Sequence, residues 1–494
     1  MSFSLHGGGI SVLDTEEVYQ ADRLAADAGV PSIVLMRNAC ASVAAEIRTR
    51  WAPRATLVLC GPGNNGGDGL GVAMLLRESG WPVEVALSDS IESFEDDAAI
   101  MGRGWGGPFV DFEPNLLDRV VLVVDALFGA GLSRSIEGRV RTIMEGVVKR
   151  ELEVIAVDIP SGVDGDTGQI LGFAMSSSVT VTFFRPKPGH LLLPGKSFRG
   201  DLVVSDIGIP EAVLNDIRPQ LWLNGPRLWS DFWPWPYPLI HKYQRGHALV
   251  QGGAADSSGA ARLAAEAALR IGAGLVSVAC PSESLGVYGG QLTSVMVRPI
   301  GDTAAYQSLL SDDRMNAVLI GPGCGVNSLT EGRVLQTLAT KKACVLDADA
   351  LSVFEKDPTS LFQAIEGVCV LTPHDGEYER LFGIKGDRLN RSRKASQISG
   401  SVVLLKGADT VIAAPDGRAV IIDNAPPDLA TAGSGDVLAG LILGLLAQGC
   451  DPFNAACMAG WVHGEAARCL GTGLVSEDLV LALPKIIEGV RLNI

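Results

Sequence analysis

Residues 56–69 read Thr-Leu-Val-Leu-Cys-Gly-Pro-Gly-Asn-Asn-Gly-Gly-Asp-Gly, and a helical pattern, Leu70–Arg77, follows directly. An apolar run that ends in glycine and passes into a helix is the opening of a βα unit. Thr56–Cys60 is continuously apolar rather than alternating, which predicts a strand covered on both faces. The unit recurs along the chain. In the first half the predicted strands are Val83–Leu87, Val120–Val124, Val154–Val157, Val179–Phe183 and Leu202–Val204. In the second they are Ala248–Val250, Leu275–Ala279, Ala317–Ile320, Cys344–Leu346, Val368–Leu371 and Val402–Leu405. Both halves therefore read as α/β with largely parallel sheets.

The chain has 494 residues, enough for two or three domains at roughly 100–200 residues each. Charged residues make up 19% and hydrophobic ones 47%, so large cores can form and wholesale disorder is excluded. Net charge is −16, with 18 Lys and Arg against 29 Asp and Glu in residues 1–225 and 22 against 27 in 226–494. Neither half has the basic excess of a nucleic-acid binder. The nine cysteines are odd in number and contain no CxxC pair, which argues against a disulfide framework or zinc scaffold and for a reducing compartment. The opening MSFSLHGGGI lacks a basic segment followed by an apolar one, and the longest apolar stretch, Val437–Ala447, falls short of the about 20 residues of a membrane span. A cytoplasmic protein with no membrane partner is expected.

From Pro219 to Pro238 the texture changes: Trp222, Trp229, Trp233 and Trp235 stand among Pro226, Pro234, Pro236 and Pro238. Proline fixes φ and removes a donor, so this stretch is expected to be neither helix nor central strand, its aromatics packing across an interdomain surface. The boundary is placed there, giving domains 1–225 and 226–494. The halves show no sequence repeat.

Three strand ends in the first half carry polar loops. Gly61–Gly69 holds glycines expected to take φ > 0 and to approach a ligand, before a helix N-terminus suited to an anion. Val120–Val124 leads to Asp125-Ala126-Leu127-Phe128-Gly129-Ala130-Gly131-Leu132-Ser133-Arg134-Ser135, and Val154–Val157 to Asp158-Ile159-Pro160-Ser161-Gly162-Val163-Asp164. In a parallel sheet these loops converge at the carboxyl ends of the strands, where ligands bind. Asp164 and Asp166 read as turn residues.

The combination GPGNNGGDG, DALFGAGL and VDIPSGVDGDTG resembles the NAD(P)H-hydrate epimerase family over about residues 10–215. That resemblance implies a Rossmann-like three-layer αβα domain that interconverts the R and S epimers at C6 of hydrated NADH or NADPH. It implies that Asn64, Asn65, Gly66, Gly67 and Asp68, with Gly129, Ala130, Gly131, Leu132, Ser133, Arg134 and Ser135, hold the substrate. Asp158 would contact the hydrated ring as acid or base. Asn65, Asp125 and Ser161 match family ligands of potassium; their oxygens suit a hard cation without selecting potassium.

In the second half Thr431-Ala432-Gly433-Ser434-Gly435-Asp436 opens the apolar helix Val437–Leu446. Glycines there free amides for a transferring phosphoryl group, and a carboxylate in the loop can take a hydroxyl proton. Upstream strand ends carry Gly321-Pro322-Gly323-Cys324-Gly325, Asp347-Ala348-Asp349, Leu371-Thr372-Pro373-His374-Asp375-Gly376-Glu377 and Lys406-Gly407-Ala408-Asp409-Thr410. His374 by itself reads as a surface or capping residue.

Together GPGCG, LDADAL, LTPHDGE, KGADTVI and AGSGDVLAG resemble the ADP/ATP-dependent NAD(P)H-hydrate dehydratases over about 235–490. The resemblance implies a ribokinase-like αβα fold and phosphoryl transfer to the C6 hydroxyl of the S hydrate, followed by loss of phosphate. Asp436 would activate the hydroxyl. Lys406, Gly407, Ala408, Asp409, Thr410 and Gly435 would contact ADP or ATP with Mg2+, and Ala260, Gly323 and His374 would join Asp436 at the hydrate. A homo-oligomer is expected. Two other readings compete: a ribokinase-like kinase of a vitamin alcohol with a regulatory or dimerising N-terminal domain, and a non-catalytic binding module. Cys60 and Cys324 read as packing residues, and Arg388, Arg391, Arg393 and Lys394 as a solvated face.

Overall fold

The computed structural model describes residues 2–3 and 9–492, so most of the opening stretch read for a signal sequence (residues 1 and 4–8) lies outside the described residues. Two compact units emerge, one built on Ile10–Leu221 and the other on Trp222–Ile494.

In the first unit the described strands are β1 (Ser2–Phe3), β2 (Thr56–Cys60), β3 (Val83–Leu87), β4 (Phe109–Val110), β5 (Leu122–Ala126), β6 (Glu153–Val157), β7 (Val179–Phe183) and β8 (Asp201–Ser205). They lie in the order β1-β8-β7-β6-β5-β2-β3-β4, parallel throughout except for the edge strand β1. Apolar clusters cover both faces, one including Val43, Leu70 and Val124, the other Leu57, Val123 and Ile143. The order reverses between β2 and β5, which makes their carboxyl ends the place for a ligand.

The second unit contains β9 (Leu221–Leu223), β10 (His247–Gln251), β11 (Leu275–Pro281), β12 (Met296–Ile300), β13 (Ala317–Ile320), β14 (Ala343–Leu346), β15 (Cys369–Leu371), β16 (Val402–Leu405), β17 (Val411–Ala413) and β18 (Ala419–Ile421). Their order is β12-β11-β10-β13-β14-β15-β16-β17-β18-β9. Parallel pairing runs from β12 to β16, and β17 and β18 add an antiparallel margin. Helices flank both faces here too, as the clusters around Val437 and Val334 show. Here the reversal falls between β10 and β13.

Two expectations are corrected. The strand placed at Val120–Val124 is Leu122–Ala126, so Asp125 lies within the strand. Val120 instead closes the 3-10 turn Pro114–Arg119, and Val121 is exposed. The Trp/Pro stretch, expected to be neither helix nor central strand, contributes the edge strand β9 and the short helix Pro226–Trp229. Pro226 sits in the first turn, where a missing N–H costs nothing. Its tryptophans pack into the second unit's own core. Trp229 is fully buried, donates from Nε1 to Asn224 Oδ1 at 3.0 Å, and meets Trp461 edge-on at 5.8 Å. Trp233 stacks on Trp235 at 5.1 Å.

Candidate functional site

In the first unit the helix after β2 begins at Asn64, earlier than the Leu70–Arg77 pattern suggested, so Asn64–Gly69 form its first turns. None of Gly61, Gly63, Gly66, Gly67 or Gly69 takes φ > 0. Their role is close packing. A Cβ on Gly66 would lie 1.8 Å from the Gly61 oxygen, and one on Gly69 2.5 Å from Ala126 Cβ. The missing side chains let the helix settle onto β2 and β5 and bring Asn64, Asn65 and Asp68 to the strand ends.

These residues line a cavity of about 710 Å³ with Gly129, Ala130, Gly131, Leu132, Ser133, Arg134 and Asp158. Three residues predicted to hold substrate are not on its wall. Gly66 and Gly67 are buried inside the helix packing, Gly67 against Ala98, and Ser135 lies beyond the loop against Gly172. Gly129 faces the polar floor: a Cβ there would come 3.2 Å from Asp158 Oδ2 and 3.5 Å from Asn65 Oδ1.

Asp158 follows β6 in the left-handed region, at φ +68°, an uncommon backbone state for a side chain of its type. Its Oδ1 is 2.6 Å from Lys187 Nζ and accepts from Thr182 Oγ1 at 3.0 Å. Oδ2 accepts from the Ala130 amide at 3.1 Å. Burial pulls the carboxyl's pKa upward, but the Lys187 ammonium and these hydrogen bonds outweigh it and hold the pKa below the ordinary value. His190 Nε2 lies 2.8 Å from the Asp158 carbonyl oxygen, and burial with the nearby Lys187 charge pushes its pKa down to about 3, so the ring is neutral. Asp22, also in the cavity lining, is driven by burial to about 6 despite Lys187.

Beneath this floor Asp125 is fully buried. It accepts from Ser161 N at 2.9 Å and from Ser161 Oγ at 2.6 Å, and burial raises its pKa against those bonds. Asn65 Nδ2 is buried with no hydrogen-bond partner. Asp164 is a turn residue, accepting from the Asp166 and Thr167 amides.

Lys187, Thr182, His190 and Asp22 were not singled out from the sequence. Lys187 sits in Arg185-Pro186-Lys187-Pro188-Gly189-His190, directly after β7. A lysine between prolines at a fourth parallel strand end was the available signal.

In the second unit the apolar helix is Ser434–Ala447, capped by Gly433 at φ +86° with no side-chain cap, so its first amides are left for another acceptor. Asp436 is in that first turn. Burial and the nearby Asp347 push its pKa up to about 6, Lys406 opposing. Lys406, which directly follows β16, pairs with buried Asp347 at 2.7 Å, and a Cβ on Gly435 would stand 3.5 Å from its Nζ. Burial disfavours the Lys406 charge, yet Asp347, Glu377 and Asp436 together keep its pKa above normal. Lys406, Gly435 and Asp436 are thus brought together.

The Gly407–Thr410 turn closes on itself: Thr410 Oγ1 donates to Gly407 O at 2.7 Å and accepts from Gly407 N at 3.0 Å. Arg388 clamps it. Its Nε is 2.7 Å from Asp409 Oδ1, Nη2 is 2.6 Å from Asp375 Oδ2, and Nη1 donates to Lys406 O at 3.1 Å. The expected solvated face is therefore wrong for Arg388 and for Arg391, which also pairs with Asp375 at 3.1 Å; both are largely buried because two loops share their charge. His374 caps the helix Asp375–Leu381, its Nδ1 accepting from the Gly376 and Glu377 amides, and its backbone bridges to Lys406. Gly323 has φ +69° and accepts from Ser257 Oγ at 2.9 Å, tying its loop to the start of the helix Ser258–Arg270 that carries Ala260. Among the described residues no single helix is long and apolar enough to cross a membrane.

Residues 248–485 match the sequence model of NAD(P)H-hydrate dehydratase, and residues 32–189 that of the YjeF-related protein N-terminus. The chain is 37% identical to the bifunctional NAD(P)H-hydrate repair enzyme of Moorella thermoacetica over 96% of both chains. It is 32% identical to that of Escherichia coli over 96% of this chain and 93% of the relative. The ADP/ATP-dependent NAD(P)H-hydrate dehydratase of Bacillus subtilis, crystallised with ATP and Mg2+, is 27% identical, with a TM-score of 0.48 over 54% of this chain and 97% of its own. With both sequence models present in one chain and relatives matching it nearly end to end, the chain belongs to the family of bifunctional NAD(P)H-hydrate repair enzymes.

Proposed function

We infer that the first unit interconverts the R and S hydrates of NADH or NADPH, and that the second dehydrates the S form with ADP or ATP. The observation that carries this is a base at each set of strand ends with a lysine beside it: Asp158 with Lys187, and Asp436 with Lys406.

The hydrate's C6 bears a hydroxyl and the ring nitrogen, so its configuration is lost when the hydroxyl gives up a proton and the C6–N bond opens to an aldehyde, its electron pair passing to the nitrogen. Asp158, ionised at neutral pH, accepts that proton; Lys187 holds the carboxylate charged, and Ala130 N orients Oδ2. Gly129 leaves room for the dinucleotide beside it, and Gly131 makes way for the Tyr19 hydroxyl. Asn65, Asp125 and Ser161 would suit a potassium ion, because each offers a side-chain oxygen and the wholly buried Asp125 carboxylate is held by hydrogen bonds from Ser161 and the Leu127 amide. Bound there, potassium supplies the positive charge that this carboxylate lacks.

In the second unit Asp436 takes the proton of the C6 hydroxyl as the phosphoryl group arrives, and the amides opened by Gly433 and Gly435 hold its oxygens. The Lys406–Thr410 turn holds the nucleotide, whose Mg2+ screens the phosphates. Ala260, Gly323 and the exposed edge of His374 border the hydrate. Departure of phosphate from C6, with loss of a proton from the neighbouring C5, restores the reduced nicotinamide.

The test is to give the protein chemically hydrated NADH with ADP and Mg2+ and follow dihydronicotinamide absorbance. Recovery from both epimers supports the reading. No recovery, with steady phosphorylation of a hydroxymethyl substrate instead, supports the kinase.

A further inference from the structure

The second unit has a cavity of about 530 Å³ that the proposed chemistry does not use, within the range of small-molecule sites. It lies at the opposite end of the sheet from Asp436. Arg245 on its wall precedes β10, Gly272 precedes β11, and Gln448 follows the carboxyl end of the helix Ser434–Ala447. That helix carries Asp436 in its first turn and, with 14 residues, is about 21 Å long.

The wall is built from two kinds of group. Trp233 and Trp235 form one side as a stacked pair. Arg245, Arg270 and Arg491 surround it, against a single acidic lining residue, Glu488. Arg491 lies over the Trp235 ring at 5.7 Å. Arg245 Nε is buried without a hydrogen-bond partner. A Cβ on Gly272 would come within 3.0 Å of Arg245 Nη2 and 2.7 Å of Gln448 Oε1, so a glycine is what keeps that corner open. Arg270 and Arg491 occupy the last turns of their helices, where a positive charge complements the dipole. That explains a charge on each helix end. It explains neither the aromatic wall nor the buried, unpartnered Arg245 Nε in a chain of net charge −16.

We propose that this cavity is a second nucleotide site, remote from the reaction, that takes an aromatic base against Trp235 and its phosphates among Arg245, Arg270 and Arg491. Flat rings with attached phosphates match a stacking surface rimmed by guanidinium forks better than an apolar or purely anionic ligand does.

Hydrogen exchange of the full-length protein, titrated with ADP, locates the binding. Expected is slowed exchange at 233–236 and 484–491 as well as at 406–410. In Arg270→Gln/Arg491→Gln, two exposed positions whose replacement leaves the core untouched, the midpoint at 484–491 moves up at least tenfold while that at 406–410 stays. Thermal unfolding checks that the variant is folded. Trp235→Leu weakens the same segment's response. Protection confined to 406–410 and 431–436 overturns the proposal, as does protection at 484–491 that survives the arginine substitutions. Equal protection by inorganic phosphate alone overturns the base-stacking part.

Discussion

Lys187 Nζ lies 2.6 Å from Asp158 Oδ1 at the floor of the first unit's cavity, with the lysine buried and the carboxylate partly open to the cavity. The pair makes Asp158 a base at neutral pH and gives the floor a fixed cation.

Lys187→Met removes the partner that offsets burial, so the Asp158 pKa rises. Epimerisation falls by about 10²-fold or more, the scale of a lost general base, and what remains shifts toward higher pH. Dehydration of purified S hydrate is unchanged. A pH–rate profile of R-to-S conversion that stays in place in the variant contradicts the role given to Lys187.

Asp436, at about 6, must be ionised to take a proton. As pH falls through about 6 the carboxylate is protonated, so dehydration kcat/KM declines on the acid side with a limb there. Asp436→Asn removes the limb and lowers the rate about 10²–10⁴-fold, with ADP binding retained by calorimetry.

Arg388 holds Asp409 and the Lys406 carbonyl at once. Arg388→Ala removes the ion pair of the buried Asp409 carboxylate and destabilises the second unit by about 3 kcal/mol. The KM for nucleotide rises more than kcat falls, because the loop that loses its clamp is the one assigned to the nucleotide. Denaturant unfolding and steady-state kinetics read the two effects.

Gly66→Ala separates packing from ligand contact. Its Cβ would meet the Gly61 oxygen at 1.8 Å, so the helix must move from β2. A stability loss of about 1–3 kcal/mol is expected, whereas Gly129→Ala costs little stability and weakens substrate binding. Melting curves beside epimerase KM distinguish them.

The strands were legible because buried parallel strands are unbroken apolar runs; Thr56–Cys60, Val83–Leu87 and Val179–Phe183 match residue for residue. Asp125 hid the end of β5, since a carboxylate reads as a loop residue unless its partner, here Ser161, 36 positions later, is known. The short strands β17 and β18 follow the Lys406–Thr410 turn too closely to stand out as separate elements. Glycine signalled the loops but not their mechanism, which after β2 is packing rather than positive φ. Lys187 stayed unread and Arg388 was misread as solvated for one reason: a charge's role depends on the partner that the fold supplies, and those partners lie 29 and 21 positions away. The Trp/Pro stretch showed where the texture changes but not which core claims its aromatics.

The central claim is that two separate bases handle two steps in sequence. The direct measurement supplies purified R hydrate with ADP and Mg2+ to Asp158→Ala, to Asp436→Asn, and to an equal mixture of both, recording NADH recovery above the spontaneous epimerisation background. Neither variant alone is predicted to recover NADH from the R form above that background, and the mixture is predicted to do so, because the S hydrate made by one is consumed by the other. Recovery by Asp158→Ala alone at the wild-type rate contradicts the account.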